Sequence, residues 1–401
     1  MSEKPLRRTR NDLIITGVLT AVALIAVATA WATAPIRGSE LTPAPEPFVA
    51  ATALTSVPEN LDEIWRVADT TPGAHLPVTS AGVIIASEGS TLRAHSPDGQ
   101  VLWTYDRDVD LCSVSAAFDA AVATYRTGVG CGDVVAINAT DGKYKATRSS
   151  SADEEVAPIA SNDHVGTVGP ERVELWRSDM VRTVEYGEVE AEQEANQQPF
   201  PECSITSALT RKELLAVTET CPDGGTFLRL QHTTPEDARM PDVTQNIELQ
   251  SADARLVAIG TDSAAVYVEN PTPTIVSYDN NGVAVHEQPV NDVDFPAPPF
   301  PQATADLPHH MSWFNGGQLL LFSPDALALT LTLDDAIGTG IAVDGTLLYP
   351  VADGIAVTNW DTGEVSRIIP VDRGGYEGPV FLGLAGETIV EKRGSDLVGL
   401  A

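Results

Sequence analysis

Basic side chains are scarce in this sequence. Its 401 residues hold 24 Lys and Arg against 56 Asp and Glu, a net charge of −32. Four of the cations, Lys4, Arg7, Arg8 and Arg10, lie before residue 12, and beyond it the balance is 20 to 54. A surface of that sign repels phosphates and anionic headgroups, which excludes nucleic acid as a partner. Signatures of chemistry are missing too. No G-x-S-x-G elbow supplies a nucleophile. No Cys-x-x-Cys pair supplies a zinc site, and His309-His310 lack a third ligand at metal spacing. Asp106, Asp108 and Asp110 alternate as a calcium loop would, but the glycine and terminal glutamate of such a loop are absent, so they read as a solvated turn. No catalytic residue, metal or cofactor is expected. Beyond residue 34 no amphipathic helical pattern lasts longer than about three turns, which argues against βαβ units.

What the sequence does have begins at its N-terminus. Leu13–Ala34 carries no charge and is long enough to cross a bilayer as a helix. The basic cluster precedes it and the acidic bulk follows, so residues 1–12 are expected in the cytoplasm and the rest outside. Ala32-Thr33-Ala34 also fits a signal-peptidase site. The length of the apolar run and Pro35 directly after it favour an uncleaved anchor. Arg7-Arg8 is not closely followed by a hydrophobic residue, unlike a twin-arginine signal. Residues 35–62 contain five prolines and no periodicity, and read as a semi-extended tether holding the domain off the membrane.

From residue 63 short apolar runs alternate with turn signals. Gly82–Ser87, Thr91–His95 and Val101–Tyr105 are strand-like, and Ser-Pro-Asp-Gly separates the last two. The order returns as Val134–Asn138, Ala-Thr-Asp-Gly, Lys143–Thr147. It returns again around Asp-Asn-Asn-Gly at 279–282 and Asp-Thr-Gly at 361–363. Repeats begin near Pro77, Cys112, Val156, Cys203, Ala254, His310, Gly340 and Pro379. The expected fold is all-β, a β-propeller over 63–401. Eight blades give about 42 residues each and seven give about 48, both within the propeller range. Ile64-Trp65-Arg66-Val67 matches the slot of Leu102-Trp103-Thr104-Tyr105, so it can close the ring as the outer strand of the last blade. Trp65, Trp103, Trp176 and Trp360 hold repeat positions that suit blade-to-blade packing.

Gly89-Ser90-Thr91-Leu92-Arg93-Ala94 and Asp98-Gly99-Gln100-Val101-Leu102-Trp103 resemble the repeat of the pyrroloquinoline-quinone (PQQ)-type β-propellers. The likeness spans roughly 63–401 and is specific in this one blade. It implies the fold. A quinoprotein dehydrogenase of that family would also bring adjacent cysteines, calcium ligands and a catalytic aspartate. This chain has no adjacent cysteine pair, and the other residues match no motif, so quinone is not expected.

The four cysteines fall into two similar frames, Cys112 with Cys131 and Cys203 with Cys221. In each, the first opens a blade and the second follows its second strand. Outside the cytoplasm this spacing predicts two disulfides within blades.

Two stretches interrupt the repeat, Glu185–Glu202 and the Pro-rich Asp294–His310. Insertions in repeat proteins map to loops, often on a binding face. Phe295, Phe300, His309, His310 and Trp313 are the candidate partner-binding residues, because stiff Pro-rich loops present side chains at low entropic cost. The expected function is a membrane-anchored protein–protein scaffold in the cell envelope, with envelope or membrane proteins as partners. At fold level it resembles propellers that assist envelope-protein assembly. A quinone-dependent oxidoreductase and a small-ligand or glycan binder are the alternatives.

Overall fold

Tight Asp-Gly turns and β-branched runs set the first blade. Gly99 sits at φ 81° in Ser-Pro-Asp-Gly and donates its N–H to Ser96 O at 2.8 Å. Only glycine takes that backbone at no steric cost. The turn folds Val101–Arg107 back on Thr91–His95, which pairs with Val83–Glu88 and then Val78–Ser80. The computed structural model describes residues 8–50, 52–189, 191–269 and 271–401. In it the same antiparallel sheet recurs eight times, so there are eight blades and not seven.

Blades 2 to 5 occupy 111–149, 157–187, 204–249 and 254–289, and blade 7 occupies 341–370. Blade 6 begins earlier than its repeat suggested. Its inner strand is Thr304–Asp306, paired with Met311–Phe314, and not a strand starting at His310. Three residues behind a proline run are too few to show a period. Blade 8 combines Val380–Ala385, Thr388–Arg393 and Asp396–Leu400 with Glu63–Ala68 from the start of the domain, Trp65 opposite Gly399. The ring therefore closes as the repeat slots indicated, without an open edge at the joint.

The tryptophans show how neighbouring blades hold each other. Trp103 Nε1 donates to Ala139 O, and Trp65 Nε1 to Pro97 O, each at 2.7 Å. In both cases the indole lies over the turn glycine of the next blade. A Cβ at Gly142 would come 2.5 Å from Trp103 Cγ, and one at Gly99 2.6 Å from Trp65 Cγ. Leu331 covers Gly363 and Ile247 covers Gly282 in the same way. At these four turns any side chain in place of glycine would meet the outer strand of the preceding blade. Asp69 seals the closing joint beneath it. Its Oδ1 accepts from the N–H groups of Ser87 and Thr71, and its Oδ2 from the buried Lys392.

The helix runs Arg10–Ala32, starting three residues before the apolar stretch because Thr9 and Asp12 form a capping box. It stops short of Pro35, which forces Ala34 into extended backbone (φ −63°, ψ 130°). At about 34 Å it is long and apolar enough to cross a membrane. Of the basic tail expected over 1–12, residues 1–7 lie outside the described residues.

The segment 35–62 is not a free tether. Ser39–Thr42 adds a fifth strand to blade 1, pairing with Thr104–Arg107. The chain then crosses beneath the ring, bonding Ala44 N to Asp141 O, Phe48 N to Thr140 O and Leu54 N to Gly386 O. Ala44 and Leu61 are buried, and Leu41, Phe48 and Leu54 pack on the core. Leu41 and Phe48 pack on the core of blades 1 and 2, and Leu54, Val57 and Leu61 on that of blades 7 and 8, so their spacing follows the path of the chain and keeps no regular period.

Disulfides join Cys112 to Cys131 and Cys203 to Cys221, with Cα atoms 6.0 and 4.1 Å apart. Each crosslinks a loop of about 20 residues and should stabilise the domain by ~3 kcal/mol in the loop-entropy model. Replacing both cysteines of one pair with serine should lower the urea midpoint accordingly. An unchanged midpoint would show that the bond is absent or strained.

Candidate functional site: the insertion-bearing face

In each blade the inner strand descends and the next ascends. The links from outer strand to the next inner strand, and the turns between second and third strands, thus share one face. We call it the upper face. Both disulfides lie there, as do residues 188–202 of the first insertion and residues 294–303 of the second. The Pro-rich segment leaves blade 5 and passes over the inner strands to the far side, where His75 Nε2 donates to Pro301 O at 3.2 Å. Between it and blades 1 to 3 lies a groove of about 710 Å³, lined by Pro298, Pro299, Ser90, Asp110, Arg126 and Glu155 and floored by the Cys112–Cys131 disulfide.

The candidate residues divide. Phe295, Phe300 and Trp313 gather under the Pro-rich segment. Phe295 stacks on Trp313 at 6.0 Å between ring centroids and meets Phe300 edge-on at 5.0 Å. Phe300 and Trp313 are buried, and Phe295 is half-buried. These rings hold the segment down and leave an apolar pocket of about 240 Å³ between Phe295, Phe300, Trp313, Phe314 and Phe381. His309 and His310 lie on the lower face, against Trp360 of blade 7 at 5.0 and 5.9 Å. His310 is buried, and that burial pushes its pKa below the usual histidine range.

The other insertion is pinned by Gln198, whose Nε2 donates to Glu185 O and Arg239 O while its Oε1 accepts from Gly187 N. It brings Phe200 over the Arg229 guanidinium at 3.6 Å, with Phe227 at 4.2 Å. Arg229 Nε donates to Glu219 Oε1 at 2.7 Å, and Tyr186 Oη donates to Glu219 Oε2 at 2.6 Å. Burial raises the Glu219 carboxyl above its usual range, opposed by Tyr186 and Arg229. Glu219 also lies beside the Cys203–Cys221 sulfurs. With both sulfurs in a disulfide, the cluster cannot offer thiolate ligands to a metal. Sequence reading missed this network because nothing local marks a charge as buried.

Asp153 sits between blades 2 and 3 on the same face. Burial pushes its carboxyl up to about 6, and neighbouring Glu171 adds to this against bonds from the N–H groups of Glu171 and Arg172. An acid with a raised folded-state pKa destabilises the fold when ionised. That cost is full above about pH 6 and gone below the unfolded value near 4. Asp153→Asn should therefore melt higher than the parent at pH 7.5, with the gap closing as pH falls from 6 to 4.5. A gap independent of pH would refute the assignment.

The fold and this looped upper face define an eight-bladed β-propeller. Among solved structures it is similar to BamB from Moraxella catarrhalis, at 11% identity and a TM-score of 0.50 over 85% of this chain and 99% of that one. It is also similar to the computationally designed protein Ika8, at 13% identity and a TM-score of 0.54 over 85% and 100%. No family model and no curated protein matches the chain. At such identities the likeness concerns the fold.

Proposed function

We propose that the protein is a membrane-anchored scaffold that binds other envelope or membrane proteins through its upper face. One observation carries this reading: the Pro-rich segment bridges the inner strands and builds a groove with fixed walls. A preformed concave surface of loops on a rigid ring loses little entropy on binding. The disulfides suit an oxidising compartment. The basic side of the helix then lies in the cytoplasm and the propeller outside it. The PQQ-type resemblance of blade 1 is consistent with this and adds no cofactor.

The test is co-isolation of the full chain from membranes in mild detergent, beside a variant with residues 296–299 replaced by Gly-Ser-Gly-Ser. The parent should bring down an envelope protein in near-stoichiometric amount. The variant should lose it while keeping its melting temperature within a few degrees. Equal recovery by both would remove the groove as the binding site. A quinone-like chromophore in the purified protein would favour the redox reading. A reporter fused after Ala401 should be active only outside the cytoplasm.

A further inference from the structure

The docked strand limits which face can meet a membrane. Ser39 pairs with Arg107, at the upper end of blade 1's outer strand, and Asp108 N donates to Gly38 O at 3.1 Å. The chain therefore joins the propeller at its upper rim. Between Ala32, where the helix ends, and Ser39 lie six residues, which span at most ~20 Å when extended. They are not extended: Pro35–Gly38 forms a 3₁₀ turn, and the Arg37 guanidinium lies 3.9 Å over the Trp31 ring. A strand of seven residues is ~23 Å long, and the turns add to the height of the ring. Six residues starting from the upper rim cannot reach around the side to lay the lower face on the bilayer.

Charge then decides what occupies the space. Asp108, Asp110, Glu154, Glu155, Glu171 and Glu188 are exposed on this face, beside the groove and the anchor strand. Three cations lie among them: Arg126, 3.8 Å from Asp110 and 3.7 Å from Glu154, Arg172 beside Glu188, and Arg37 at the anchor strand, so these six carboxylates outnumber them two to one. An acidic surface held next to a membrane is repelled by anionic lipid. It attracts cationic protein.

We propose that the upper face is turned toward the membrane and receives a Lys/Arg-rich extracytoplasmic segment of a protein in that same membrane. This rests on the anchored-scaffold reading, and the experiment separates the two. Full-length protein, labelled with a donor dye at Asp294→Cys on the upper face or Asp361→Cys on the lower, is reconstituted in phosphatidylcholine vesicles containing an acceptor lipid. Failure to float with the vesicles defeats the anchor itself. If the protein floats, transfer should be several-fold stronger from position 294, and equal or reversed transfer overturns the orientation. A photoreactive residue at 171, compared with 361, then reports the partner in intact cells. The expected crosslinks from 171 are peptides rich in Lys and Arg within a short distance of a membrane span, lost in Glu155→Lys/Glu188→Lys. Crosslinks to soluble proteins or to acidic peptides, no crosslinks, or crosslinks unaffected by the reversal would overturn the assignment.

Discussion

A chain that begins at residue 71 should not reach a monomeric, cooperatively folding state, whereas one that begins at residue 39 should. The shorter form loses Glu63–Ala68 and with it every hydrogen bond of the Asp396–Leu400 outer edge. It loses the Trp65 indole over Gly99 and Gly399 and its bond to Pro97 O. It also loses Asp69, which leaves Lys392 buried without its partner and Ser87 N without its acceptor. Breaking a buried ion pair from one side costs about 3–5 kcal/mol. Burial of an aromatic side chain adds ~2 kcal/mol and each net hydrogen bond ~1 kcal/mol. Together these rival the 5–15 kcal/mol that holds a typical domain folded. A chain starting at residue 61 keeps the closing strand but loses the fifth strand and the apolar contacts of Leu41, Phe48 and Leu54. It should fold and melt several degrees below the form starting at 39. The sequence alone suggested no loss there. Size-exclusion profiles and thermal melts of the three forms test the order, and equal behaviour of the forms starting at 39 and 71 would mean that the ring does not depend on this joint.

Glu219→Ala should be the most damaging single substitution on the upper face. Arg229 and Glu219 are 1% and 0% exposed. The substitution leaves a guanidinium between two phenyl rings without its counter-charge, and Tyr186 Oη without its acceptor. A loss of about 3–5 kcal/mol is expected, because an uncompensated buried cation costs more than the pair contributed. Glu219→Gln keeps the shape and one acceptor oxygen, so it should cost less. Replacing Glu219 and Arg229 together by Leu and Met removes both charges and should recover part of the loss. Urea midpoints of the four proteins measure this. A double variant as unstable as Glu219→Ala would place the cost in packing, not in charge.

The ring was legible because its punctuation is local. The glycine turns at Gly99, Gly142, Gly282 and Gly363 each separate the third and fourth strands of a blade, and Trp65 could be matched to Trp103 by position in the repeat. The clasp over Gly99 and Gly142 ties the tryptophan and the glycine turn into one contact. Other features left no such trace. Ser39–Thr42 is a short polar strand whose partner lies some 65 residues away, and its pairing depends on an edge that exists only once blade 1 has formed. The inner strand of blade 6 is hidden behind prolines. Asp69, Glu219, Arg229 and Lys392 look like any surface charges until the fold buries them. Phe300 and Trp313 stand out in the sequence for the Pro-rich stretch beside them, and the fold uses their rings to fasten that stretch. His309 and His310, neighbours of the same stretch in sequence, emerge on the opposite face because the inner strand of blade 6 separates them from it.

The fifth strand of blade 1 also has a mechanical side. Ser39–Thr42 runs down the outer edge from the rim where the helix is attached. A pull directed along that strand strains the bonds of the pair together in shear instead of peeling them one after another. Force applied across the strand would open them in sequence from Ser39. The joint between helix and propeller therefore resists a pull along the strand far better than one across it, and single-molecule stretching in the two directions should give different rupture forces.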